Sequence, residues 1–154
     1  NPRPKKDIIQ IMAAHKIPYI ATISIAYLND LIRKTLKAKN LKGKGLRFLL
    51  IYSPCPPGWR LPSSEITVKI ARLAVETNFF PLYEIEDGEK YTLNFIPDKK
   101  PLKEFIKLQG RFKHLKDEEI EEMEETTQKN FERILNLHRL THGNLDNIPK
   151  GFYK

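Results

Sequence analysis

The chain is poor in cysteine: 154 residues contain one, Cys55, and one tryptophan, Trp59. A single thiol forms no internal disulfide, so a disulfide-stapled secreted scaffold is excluded and a reducing compartment, the cytoplasm, is expected. No apolar run is long enough to span a bilayer, so no membrane partner is expected. The N-terminal string NPRPKKD is polar and proline-rich, which does not fit a signal peptide. A chain that starts at Asn1 and not at methionine reads as a processed or partial one. There is no Walker loop, no glycine-rich dinucleotide fingerprint and no G-x-S-x-G nucleophile elbow. These absences exclude the commonest nucleotide-binding and serine-hydrolase designs.

What is present is apolar enough, at 40%, to bury a core, and basic, with a net charge of +8. The charge is uneven. Residues 1–60 hold twelve basic and two acidic groups, whereas residues 61–154 hold fifteen basic and seventeen acidic ones. A basic half attracts nucleic acid or an acidic protein. No nucleic-acid-binding motif accompanies it, so a lysine-rich solvated surface is preferred and nucleic acid is not an expected partner.

The pattern is that of an α/β chain. Asp7 caps a short helix carrying Ile8, Ile9, Ile11 and Met12. IPYIATIS, residues 17–24, is β-branched and almost wholly apolar, the mark of a strand buried on both faces. Residues 27–40 follow as a helix with Leu28, Leu31, Ile32 and Leu36 on its expected inner stripe and Arg33, Lys34 and Lys37 outside it. LRFLLIY, residues 46–52, reads as a second buried strand. Strand, helix and strand in that order predict a right-handed parallel βαβ unit. Beyond residue 62, Ser63 or Ser64 caps a helix with Ile66, Ile70, Leu73 and Ala74 inside. Asp87-Gly88 marks a hairpin turn between FPLYEI and YTLNFI. PDKKP, residues 97–101, is a break, which divides the chain into residues 1–96 and a helical extension over 97–154. A long helix begins near Lys116 with its seam at Ile120, Met123, Thr127, Phe131, Ile134 and Leu135, and needs a partner for that stripe. From Thr141 a poorly ordered tail is expected.

The string IYSPCPPGWRLP raises the chemical question. Cys55 sits between Pro54 and Pro56, just past a strand end, where ligands gather in open α/β sheets. Flanking prolines stiffen such a loop. A Cys-Pro pair also closes bacterial iron–sulfur ligand runs, but a [4Fe–4S] cluster needs four thiolates and this chain has one. From spacing alone a structural buried cysteine remains open. His138 and His142 stand four apart but read as solvent-facing rather than as a metal pair. Trp59-Arg60 reads as a plug against the next helix rather than as a cation–π pair. No residue is assigned a catalytic role.

Four strings occur in compact order: KKDIIQIMAAHKIPYIATISIAY, YSPCPPGWR, EITVKIARLAVETNFFPLYEIEDGE and KPLKEFIKLQGRFKHL. Together they resemble the C-terminal half of the beta subunit of pyruvate:ferredoxin oxidoreductase, or pyruvate synthase, over roughly residues 5–116. The resemblance implies the C-terminal half of a doubly wound domain that binds thiamine diphosphate with Mg²⁺ and carries a [4Fe–4S] cluster. Three ligand cysteines would lie earlier in the subunit, and Cys55, in the matching Pro54–Cys55–Pro56 loop, would be the fourth and this chain's only cofactor and metal ligand. The activity implied is oxidation of pyruvate with coenzyme A to acetyl-CoA and CO₂, with electrons passed to ferredoxin. The implied partners are the N-terminal half of the beta subunit and companion subunits of alpha, gamma and delta type. Two positions depart from the family's pattern, Leu28 for proline and Pro57 for threonine. The Gly-Asp-Gly motif, its downstream asparagine and the other three cysteines are absent, so the chain alone is expected to be inactive. The alternatives are the same chemistry on another 2-oxoacid, or a non-enzymatic basic α/β binding module.

Overall fold

The computed structural model describes residues 6–151, whose fourteen elements are built around a mixed four-stranded sheet. Helix α1 (Ile8–Ala14) leads into β1 (Tyr19–Ser24), α2 (Leu28–Asn40) and β2 (Arg47–Tyr52). A one-turn helix α3 (Pro56–Trp59) and a 3-10 turn (Ser64–Ile66) precede α4 (Thr67–Glu76). The hairpin β3 (Tyr83–Glu86) and β4 (Lys90–Leu93) follows, then β5 (Ile96–Pro97), α5 (Leu102–Lys107) and a second 3-10 turn (Gly110–Phe112). Helix α6 (Asp117–His142) and the short β6 (Lys150–Gly151) complete the described residues.

Strand order is β2-β1-β3-β4. The βαβ reading holds: β1 and β2 pair in parallel from Tyr19↔Arg47 to Ser24↔Tyr52. The hairpin is antiparallel, as its Asp-Gly turn predicts, with Asp87 and Gly88 both at positive φ. The first strand is buried along its whole length because it is central. Its neighbour β2 departs from the expectation. It is only half-buried, because among the described residues it lies at the sheet's edge with β1 as its one partner.

On one face of the sheet, Ile20, Tyr83, Ile85, Tyr91 and Leu93 pack with Ile9 and Ala13 of α1 and with Phe131 and Ile134 of α6. The apolar seam of α6 is therefore covered within this chain, Phe131 and Ile134 by the sheet and Ile120 and Met123 by α4 and α5, and is not left open for a neighbour. Residues 141–151 are also ordered, contrary to the expected tail. Helix α6 runs to His142, Ile148 is buried in the same cluster, and β6 pairs with β5 in parallel.

Helix α2 covers the opposite face with its stripe reversed. The predicted inner residues Leu28, Ile32 and Leu36 are 63%, 53% and 51% exposed, while Asp30, Lys34 and Ala38 are buried. The reason lies in the sheet. Glu84 of β3 is buried on this face, where it accepts hydrogen bonds from the Tyr19 hydroxyl (2.6 Å), Arg33 (2.8 Å) and Lys37 (3.1 Å). Lys34 donates to the Thr22 carbonyl at 2.8 Å and pairs with Asp30 at 2.6 Å. An unpaired buried carboxylate costs more than a few exposed leucines, so the polar side of the helix turns inward. Burial pushes the Glu84 pKa up, but hydrogen bonds from Tyr19 and Arg33 and the charges of Arg33 and Lys37 outweigh it and carry it down to about 2. Burial lowers Lys34 to about 8 even beside Asp30.

Candidate functional site

The parallel pair β1–β2 delivers its carboxyl ends to one place. Beyond β1 the chain turns at Ser24, whose hydroxyl donates to the Ala71 carbonyl of α4 at 3.2 Å. Beyond β2, Ser53 and Pro54 lead to Cys55, which precedes α3 with extended backbone. Pro56 and Pro57 occupy the first helical positions, where a missing N–H costs nothing and a fixed φ is already helical. The turn closes through Trp59 N–H to the Cys55 carbonyl (2.9 Å) and Leu61 N–H to the Pro56 carbonyl (3.0 Å), with Arg60 in the left-handed region at φ 53°.

The Cys55 thiol is free and exposed, which removes the reading of a buried structural cysteine. Beside it lies Gly58: a Cβ there would stand 3.2 Å from the Cys55 sulfur. A side chain at position 58 would crowd the sulfur, and glycine leaves that side of it bare.

The loop is braced from a distant part of the chain. Gly110 N–H donates to the Arg60 carbonyl at 3.0 Å. The Arg111 guanidinium lies 3.9 Å from the Trp59 ring centre and 4.5 Å from that of Phe112. Its Nε donates to Gln109 Oε1 at 3.0 Å, and buried Gln109 donates in turn to the Phe105 carbonyl at 2.9 Å. Trp59 packs on Tyr52 with ring centres 5.5 Å apart, and Tyr52 on Phe80 at 4.8 Å. Burial pushes the Tyr52 hydroxyl to a higher pKa, which the Arg111 charge offsets only in part.

Trp59 is thus a plug, as the sequence suggests, but its cation is Arg111 and not the adjacent Arg60. Residue-by-residue reading missed Gln109, Gly110 and Arg111. The signal was the string LQGRFKHL, which matters because it docks on the Cys55 loop.

His138, expected in solvent, is buried. Its Nδ1 accepts from Leu93 N–H at 3.1 Å, and its ring stacks on His142 at 4.5 Å. Both are engaged with β4, since the His142 Nε2 lies 2.9 Å from the Thr92 hydroxyl. Among the described residues no three His, Cys, Asp or Glu side chains come together as a metal site. Cys55 itself presents an exposed sulfur on a stiff backbone with a bare flank.

No family model matches the chain. Curated relatives do. The ketoisovalerate oxidoreductase subunit VorB of Pyrococcus furiosus is 47% identical over 138 residues, which cover 88% of this chain and 43% of that one. The pyruvate synthase subunit PorB of Methanocaldococcus jannaschii is 50% identical over 123 residues, 79% of this chain and 40% of the relative. PorB of Pyrococcus horikoshii is 43% identical over 141 residues, 79% and 42% respectively. The chain spans less than half the length of these relatives.

Proposed function

We propose that this chain, which belongs to the family of PorB-type and VorB-type beta subunits of 2-oxoacid oxidoreductases, carries the Cys55 ligand of a [4Fe–4S] cluster within such a subunit. The observation behind this reading is the exposed Cys55 thiol at the carboxyl end of β2, in a loop stiffened by Pro54, Pro56 and Pro57 and braced by Gly110 and Arg111. The reaction is oxidation of pyruvate with coenzyme A to acetyl-CoA and CO₂, with electrons leaving through the cluster to ferredoxin. Thiamine diphosphate, held with Mg²⁺ by the part of the subunit outside this chain, supplies the electron sink for decarboxylation.

The chain's own residues do three things. Cys55 offers one thiolate at a fixed position, because proline removes backbone freedom on both sides. Trp59, Tyr52 and Phe80 form an apolar floor that keeps water from the inner side of the loop. Arg111 stacks on the Trp59 ring of that floor and so holds the inner side of the loop in place. The partners are the rest of the subunit, companion subunits of alpha, gamma and delta type, and ferredoxin.

A second reading, the same chemistry on a branched 2-oxoacid, is favoured by the 47% identity to a ketoisovalerate oxidoreductase subunit. One assay tests both. The assembled complex, purified without oxygen, should contain iron and acid-labile sulfide and reduce ferredoxin with coenzyme A and pyruvate. Faster turnover with ketoisovalerate would move the assignment to the second reading. A complex without iron would end both.

A further inference from the structure

Three side chains in the last turn of α6 stitch it to β4. The Thr141 hydroxyl donates to the Tyr91 carbonyl at 2.7 Å, the His142 Nε2 lies 2.9 Å from the Thr92 hydroxyl, and the His138 Nδ1 accepts from the Leu93 N–H at 3.1 Å. His138 has a second contact, since its Nε2 lies 3.1 Å from the Asn144 carbonyl. Together these two contacts define one protonation state. Nδ1 keeps its lone pair for the Leu93 N–H and Nε2 carries the proton for Asn144, so the buried ring is neutral.

Asn144 belongs to a return, residues 143–151, that leaves α6 at Gly143 and comes back to β5. Few groups hold the return. Ile148 is buried in the core, the Ile96 N–H donates to the Pro149 carbonyl at 2.9 Å, and β6 pairs with β5. The return walls one side of a cavity of about 290 Å³, which Asn147 and Pro149 line together with Asp30, Arg33, Leu82 and Phe95.

We propose that the 143–151 return is a proton-released strap, closed against this cavity while His138 is neutral and opened when His138 takes up a proton. The proposal stands apart from the role of Cys55. A proton on Nδ1 removes the acceptor of the Leu93 N–H and sets two donors against each other. It also buries a charge with no carboxylate to meet it. The ionisable groups on the surrounding elements are engaged elsewhere or exposed. Lys90 pairs with Glu86, Tyr91 donates to Gln10, Arg133 pairs with Asp7 and Arg139 donates to Asn136. Asp98, Asp146 and Lys150 are exposed. A charge on His142, whose ring stacks at 4.5 Å, opposes a second one on His138. Burial first, and then His142, hold His138 below its ordinary value of 6.5, so the ring gains its proton on opening. Opening is thereby linked to uptake of one proton and is favoured by up to about ten-fold for each pH unit below 6.5.

Hydrogen exchange on this chain, with rates corrected for their intrinsic pH dependence, tests the strap. Two amides report on it directly: Leu93, whose acceptor is His138, and Ile96, whose acceptor is the Pro149 carbonyl of the strap. Between about pH 7 and pH 5.5 the protection of both should fall by roughly four-fold or more, while that of Ile20 in the central strand holds. In His138→Gln the fall should be lost. If that variant does not fold, His142→Gln, at an exposed position, serves in its place and should move the fall to higher pH. Level protection at both amides, a fall at Leu93 with Ile96 unchanged, or a fall at all three amides together would overturn the proposal. So would the same fall in His138→Gln, or an unmoved onset in His142→Gln.

Discussion

Replacing Gly110 with alanine would set a Cβ 2.7 Å from the Arg60 carbonyl oxygen and 2.8 Å from the Arg60 Cβ. Neither neighbour is the free end of a flexible side chain, so the 3-10 turn must move away from the Cys55 loop. The hydrogen bond from Gly110 to Arg60 is then lost, at about 1 kcal/mol. The Arg111–Trp59 stacking weakens as well, at roughly 0.5–1 kcal/mol. Strain from the inserted methyl adds roughly 1–3 kcal/mol, less as the turn relaxes. Together these give a loss of roughly 2.5–5 kcal/mol, or roughly 5–20 °C in Tm at about 2–4 °C per kcal/mol for a chain of this size. The change should be local, and Trp59, as the one tryptophan, reports on it directly. Its emission should shift to the red as Arg111 and the turn withdraw, while far-ultraviolet dichroism stays unchanged. Gly110→Ala with wild-type Tm and wild-type Trp59 emission would refute the claim that this turn braces the loop.

Three further outcomes are expected. Lys34→Met should destabilise by roughly 3 kcal/mol in chemical denaturation, because Asp30 loses its buried partner and the Thr22 carbonyl its donor. His138 is held neutral, first by burial and then by the adjacent His142, so its pKa is lowered from 6.5. Its contribution is complete above the unfolded value and is lost as pH falls through the lower folded value. Denaturation midpoints should therefore drop on acidification in the wild type and drop less in His138→Gln. Calorimetry on the isolated chain should show no binding of thiamine diphosphate with Mg²⁺, and measurable binding would mean that this chain holds the diphosphate by itself.

Much of the fold was legible in local pattern. The β-branched run at 17–24, the Asp-Gly turn and the caps at Asp7 and Ser63 each lead to the element found. Helix α2 was legible as a helix but not in its orientation. Its apolar stripe faces outward because a carboxylate fifty residues away, Glu84, needs Arg33 and Lys37, and no local period reports such a pairing. The half-exposed β2 follows from its place at the edge, which only strand order reveals. His138 was misread for a similar reason: its partner is a backbone N–H on β4, brought there by the return of α6 across the sheet. At the site, Cys55 stood out by its rarity and its prolines. Arg111 did not, since one arginine among many basic residues carries no mark until it is found over Trp59.

The assignment of Cys55 is tested most directly by replacing it with serine in the assembled, anaerobically purified complex and measuring iron, sulfide and the electron paramagnetic resonance of the reduced clusters. A hydroxyl is a harder and poorer ligand for iron than a thiolate. The account predicts loss of one [4Fe–4S] signal or its conversion to a three-iron form, reduced iron content and a steep fall in ferredoxin reduction, with the complex still assembled. Full iron content, unchanged resonance and wild-type electron transfer in Cys55→Ser would contradict it.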